Sequence, residues 1–351
     1  MNKKKTSLIA NLCCVGLSGL FAATVHADDD VLTSVRAGGP VVVDGVVDHV
    51  WTSAKAVHIE LDQTLYEPSN GYPGMASTTV EMKSLYDDKN IYFLLQYTDP
   101  THSFDRFPWI KQSDGSWQQK MNKDSTGHDN YYYEDKVAIF WNISADKFEN
   151  KGCAVACHRA SGGKVNGIDD SSVGRKFTRE GETIDMWHWK SVRTNPNHQL
   201  DDQFVDSTHD PKQNKEWGRK GDHKTGGGYK DNVERGKPAY VSANLNETSV
   251  AIPDAAKRPF TPYYNGSTRI PGIVTAPFEG SRGDIEGYGV WRDGVWTLEI
   301  KRAKVTEGQD AALQDVQFSD PKGRYPFGVA VFDNSQINHI FHFGSYVLEF
   351  E

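Results

Sequence analysis

Residues 289–302 read GVWRDGVWTLEIKR. Asp293-Gly294 splits two aromatic segments, and an Asp-Gly pair supplies the positive-φ corner of a two-residue hairpin. After the corner, Trp296, Leu298 and Ile300 alternate with Thr297, Glu299 and Lys301, the two-residue period of a strand with one apolar face. Residues 91–97 (IYFLLQY) and 137–143 (VAIFWNI) are aromatic and β-branched runs, too short for typical helices and entered through the polar stretches 87–90 (DDKN) and 134–136 (EDK). They predict core strands. VVVDG at 41–45 with Val50-Trp51 adds β structure near the start, and 325–332 and 344–350 add two closing strands. Strands at both ends predict one domain whose first and last strands share a core. The expected fold is mainly β, an antiparallel β-sandwich over residues 28–351. Its facing sheets are expected to bury Trp51, Phe93, Leu95, Phe140, Trp296, Leu298, Val329 and Val331.

Lys3, Lys4 and Lys5, the mostly apolar run 6–24 and Val25-His26-Ala27 have the order of a bacterial export signal. Residues 1–27 are therefore expected to be a signal peptide, and the mature chain to work in the periplasm. Cys13 follows Leu12 rather than the small residue that lipid anchoring needs. No second apolar run is long enough to span a bilayer. The full chain has 39 Lys+Arg against 47 Asp+Glu, and loss of three lysines takes the net charge from -8 to -11, which argues against a general nucleic-acid binder. Residues 210–285 differ in kind. The part from 210 to 238 holds eight basic and five acidic residues and the run Gly226-Gly227-Gly228, and five prolines punctuate 253–277. This stretch is expected to be a long irregular insertion carried on the sheets.

With Cys13 and Cys14 in the signal, only Cys153 and Cys157 remain, which excludes a disulfide-stapled scaffold. Residues 152–158 read GCAVACH. Covalent haem attachment ordinarily uses C-x-x-C-H, the thiols forming thioethers and the histidine reaching the iron from one side. Here the loop has one extra residue, but Ala154, Val155 and Ala156 put nothing bulky inside it. One haem c held by Cys153, Cys157 and His158 is the expectation. A bare disulfide, a zinc site lacking an obvious fourth ligand, and inert core thiols stand as alternatives.

Iron in an electron-transfer haem protein takes a protein ligand on each face. His339 and His342 lie between the last two long strands and are the expected metal ligands with His158, His339 preferred. Residues 185–190 (DMWHWK) offer His188 or Met186 instead. As a plain strand, that segment would set Trp187 and Trp189 on one face and Met186 and His188 on the other. Most charges of the basic insertion are expected on a solvated loop, and the excess suits an acidic redox partner or the propionates of a haem. No G-x-S-x-G, H-E-x-x-H or P-loop pattern occurs, so catalysis by this chain alone is not expected.

At 153–158 and 185–196 (DMWHWKSVRTNP) the chain resembles periplasmic haem proteins related to the gamma subunit of ethylbenzene dehydrogenase, the type II haem subunits of the dimethyl sulfoxide reductase family. VVVDGVVDHVW at 41–51, YYYEDKVAIFWNI at 131–143, GVWTLEIKRA at 294–303 and FGVAVFDNSQINH at 327–339 extend the resemblance over most of the mature chain. It implies a sandwich clamping one haem between its loops and passing electrons to or from a molybdenum oxidoreductase. In the b-type gamma subunits the axial pair is methionine and lysine. Here the 153–158 segment stands in the methionine's place and the loop with His339 and His342 in the lysine's, which implies two histidines and a covalently held haem. The opening phrase is also similar to carbohydrate-binding sandwiches, and a non-enzymatic carbohydrate-binding module is the alternative function.

Overall fold

The computed structural model describes residues 30–72, 74–156, 175–210, 212–308 and 310–351, with the backbone of 164–165 and 168–169. Fourteen strands form one sheet among the described residues. They are β1 (Val31–Arg36), β2 (Val57–Leu61), β3 (Gln63–Thr64), β4 (Thr78–Tyr86), β5 (Asn90–Thr98), β6 (Lys136–Asn142) and β7 (Ile184–Lys190). The remainder are β8 (Asp201–Val205), β9 (Arg219–Gly221), β10 (Glu286–Arg292), β11 (Val295–Ala303), β12 (Tyr325–Phe332), β13 (Ile340–Phe341) and β14 (Tyr346–Phe350). The order is β9-β8-β7-β6-β12-β14-β1-β4-β5-β11-β10, with β2 on β4 and β13 bridging β12 to β3. Pairing along that order is antiparallel except where β1 runs parallel to both β14 and β4. The first and last strands are thus hydrogen-bonded neighbours.

The hairpin read from Asp293-Gly294 forms as expected. Asp293 has φ 52° and Gly294 φ 83°, the two positive values of a type I′ corner, and Trp291 faces Trp296 across it. The sheet curls so that its two halves face one another. Phe93 of β5 packs on Trp141 of β6 and Trp187 of β7, with ring centroids 5.4 and 5.6 Å apart, and Trp189 meets Trp296 at 4.8 Å. Leu95, Leu298, Val329 and Val331 are buried in the same cluster, each such aliphatic side chain contributing about 1.5–3 kcal/mol by burial.

Two core assignments need correction. Trp51 packs on Leu85, Tyr92 and Leu94 on the outer face of β4 and β5, where its indole N–H donates to Glu299. Phe140 also points outward, into a second cluster with Phe148, Met186 and Phe332. Residues 137–141 (VAIFW) are apolar at every position because both faces of β6 are covered, so alternation alone could not say which side of it is the sandwich core. Within 210–285, Gly226–Asp231 pairs with Ile273–Glu279, which also receives Ile252–Pro253 in parallel. Trp109, Val241, Ile252, Ile270 and Val274 form a small core there. Short strands of this kind leave no period long enough to read.

Candidate functional site: a cation-rimmed cavity on the outer face of β6, β7 and β12

Because Val137, Ile139 and Trp141 point into the sandwich, Lys136, Ala138 and Phe140 point out. The same alternation on β7 buries Trp187 and Trp189 inside and turns Met186 and His188 outward. These outward residues, with Ala330 and Phe332 of β12, floor a cavity of about 950 Å³, at the upper end of the volumes that hold cofactor-sized molecules. Cys153 and His339 line it as well.

Cys153 reaches this position through two glycines. Gly152 has φ 54° and ψ -140°, outside what side chains tolerate, and forms a parallel bridge with Gly344. Gly328 of β12 lies beneath the thiol: a Cβ there would come within 2.6 Å of Cys153 Sγ and 3.6 Å of His342 Nε2. Cys157 and His158 lie outside the described residues.

The histidines differ sharply. His188 is 3% exposed, and among the described residues neither ring nitrogen has a hydrogen-bond partner. Burial, reinforced by Lys190, Arg219, Lys136 and Arg193, pushes it well below the usual imidazole range. It is therefore a neutral ring with a lone pair to give, in a place where an unsatisfied polar group is costly. His339 Nδ1 lies 2.8 Å from the Ile337 carbonyl, a contact that sets the proton on Nδ1 and the lone pair on Nε2. The His188 and His339 rings flank Phe332, with centroids 5.7 and 4.6 Å from it. His342 is not among the cavity's lining residues. Its Nε2 accepts the Val329 N–H at 3.0 Å, and Nδ1 faces the Phe343 carbonyl at 3.3 Å.

The rim is cationic. Arg193 is held by Glu134, whose second oxygen also accepts the Val192 and Arg193 backbone N–H groups at 2.8 and 2.9 Å. Behind the rim, fully buried Lys190 pairs with Asp201. Lys136 is 1% exposed and donates to the Gln336 carbonyl at 2.9 Å. Among the described residues no carboxylate lies in ion-pair range of it, and burial holds its pKa well below the ordinary lysine value. Imidazole and thiol donors, aromatic walls from Phe140, Phe332 and Phe341, and a buried cation lacking an anion suit a flat, metal-centred ring that carries carboxylates. Sequence reasoning missed Lys136 and Arg193. Lys136 was read only as part of the polar entry to its strand, yet it heads a run apolar on both sides, where a charge is buried and needs an anion.

The family model described as ethylbenzene dehydrogenase matches residues 48–343. The chain belongs to the ethylbenzene dehydrogenase family. That span takes in β6, β7, β12 and both histidine-bearing segments, so every described wall of the cavity lies inside the matched region. No curated protein matches. Among solved structures, a family 9 carbohydrate-binding module from Caldicellulosiruptor kristjanssonii in complex with glucose is similar at 10% identity. The match covers 92% of this chain and 94% of that one, with a TM-score of 0.33. The same module in complex with cellotriose gives 11%, 92%, 93% and 0.33. At that score the likeness carries no argument for this chain's ligand. No helix among the described residues is long and apolar enough to cross a membrane.

Proposed function

We propose that this member of the ethylbenzene dehydrogenase family is a periplasmic c-type cytochrome. It holds one haem through Cys153 and Cys157 and exchanges single electrons with a redox partner, a molybdenum oxidoreductase in the reading its family suggests. The observation that carries the proposal is the cavity wall itself, where a buried imidazole without hydrogen-bond partners and a buried lysine without a carboxylate, among the described residues, face the same space as Cys153. A bound haem supplies a one-electron couple whose ligands do not exchange with substrate. The chain's own residues do the rest. His158 would ligate the iron, and His339 would be the preferred second ligand, its ring oriented by the Ile337 carbonyl in the way backbone acceptors orient metal-binding histidines. Lys136 and the Arg193 side of the rim receive the propionates, and Phe140, Phe332 and Phe341 keep water from the ring. His188 is the second reading for the opposite ligand, because both its nitrogens lack partners.

The test is the optical spectrum of haem-matured protein. His339→Ala should convert a low-spin spectrum to a high-spin or water-ligated one and leave attachment intact. An unaltered spectrum in His339→Ala together with loss in His188→Ala moves the assignment to His188, and loss in His342→Ala alone moves it to His342. No haem uptake in the parent protein, with affinity for glycans instead, overturns the cytochrome reading in favour of the carbohydrate-binding one.

A further inference from the structure

On the sandwich side of β7 and β8, away from the cavity, Asp185 and Asp202 project from the same face of the sheet. Asp315 joins them from the loop that leads to Phe318. One carboxylate oxygen from each lies within 4.8 Å of the other two, and all three residues are buried. Two oxygens bound to one calcium ion at about 2.3–2.6 Å can be no farther apart than roughly 4.6–5.2 Å, so the spacing fits a single shared ion. A fourth carboxylate arrives independently. Asp222, one residue past β9, is 4% exposed, and its charge is felt by Asp315 and Asp185. Among the described residues neither of its oxygens has a donor other than a neighbouring carboxyl, and it lies in side-chain hydrogen-bond reach of Asp315.

In this cluster, among the described residues, six buried carboxylate oxygens lack a donor other than a neighbouring carboxyl: Asp185 Oδ1, Asp315 Oδ1, and both oxygens of Asp202 and of Asp222. The described cation among them is Arg302, whose guanidinium lies 3.4 Å from Asp315 and 3.8 Å from Asp185. Buried charge of this density is untenable without compensation. Asp185, Asp202, Asp222 and Asp315, when ionised and offset by Arg302, leave three negative charges, of which one divalent cation neutralises two. The donors are all hard oxygens, the preference of calcium rather than of a transition metal.

We propose that Asp185, Asp202, Asp222 and Asp315 form a calcium site, with Asp284 at its solvent-facing edge, that ties the ends of residues 210–285 to the sandwich. The ion joins β7, β8, the exit of β9 and the 315 loop. It fastens the very segment that covers the cavity, and it does so from the face of β7 opposite His188. The site does not depend on what the cavity holds.

The experiment uses the full chain after chelator treatment. Calcium should raise the midpoint of thermal unfolding, and magnesium should do so less. Terbium should show luminescence sensitised through Trp187, whose indole N–H donates to Asp185 Oδ2 at 2.9 Å. Asp222→Asn and Asp202→Asn should each weaken terbium binding at least tenfold and abolish the calcium-dependent rise. Asp284→Asn, at the exposed edge, should weaken it less and keeps the test decisive if a buried variant fails to fold. Absence of terbium emission with a melting midpoint indifferent to calcium overturns the proposal, and the cluster is then held by shared protons. Haem uptake is scored separately, so loss of one reading leaves the other standing.

Discussion

The glycine before Cys153 offers the sharpest test of how the thiol is positioned. Gly152 and Gly344 face each other across a parallel bridge, and both have positive φ, 54° and 77°. An alanine at either position pays the strain of that backbone region, about 1–3 kcal/mol. Only at Gly152 does the new Cβ also collide, falling 1.7 Å from the Gly344 carbonyl oxygen, whereas a Cβ on Gly344 meets nothing within 4 Å. Relieving that overlap means opening the bridge, an overpacking cost of about 1–3 kcal/mol more. Gly152→Ala should therefore lose about 2–6 kcal/mol and Gly344→Ala about 1–3 kcal/mol. Urea unfolding followed by tryptophan fluorescence reads the stability of both variants. Densitometry of haem-stained gels reads attachment, which should fall in Gly152→Ala and hold in Gly344→Ala. Equal stability and equal attachment in the two variants would refute the claim that this bridge seats Cys153.

Other outcomes follow from buried charge. Asp201→Ala strands Lys190 and removes acceptors used by Arg282 and Tyr229 at 2.6 and 2.9 Å, so denaturant unfolding should register a loss of about 3–5 kcal/mol. Lys136→Met should stabilise the haem-free chain by about 1–4 kcal/mol. In the loaded protein it should lower the reduction potential, since a nearby cation favours the less positive iron; potentiometry checks this. Asp99 is raised from 3.8 to about 7, first by burial and then by Asp333. A raised carboxyl stabilises the fold below its unfolded pKa, and that contribution is lost as pH climbs from about 4 to about 7. Asp99→Asn should flatten that decline and melt higher than the parent at pH 8, and an unchanged slope in melting curves would refute it.

Much of this was legible in the chain. The Asp293-Gly294 corner, the alternation from Trp296 to Ile300 and the inside-outside split of Trp187 and His188 all follow from two-residue periodicity, which local sequence carries. What periodicity cannot carry is the second face of a strand covered on both sides, which is why Phe140 was assigned to the sandwich core. Trp51 was misassigned for a related reason: a buried tryptophan near a turn does not say which layer it enters. Cys153 and His339, which line the cavity, were singled out from sequence because cysteine is rare in this chain and both side-chain types announce their chemistry. Lys136, Arg193 and the Asp185, Asp202, Asp222 and Asp315 cluster were not. Charged residues are common on surfaces, and only the curl of the sheet brings these, from segments far apart in sequence, into the interior.

The central claim is that the chain carries one haem fixed to its cysteines. Its most direct test is the intact mass of the protein after maturation with haem-attachment machinery and denaturation. The expected product is a polypeptide heavier by one haem, and the bare polypeptide mass after replacement of Cys153 and Cys157 by alanine. A matured parent protein whose denatured mass is that of the bare polypeptide would contradict it.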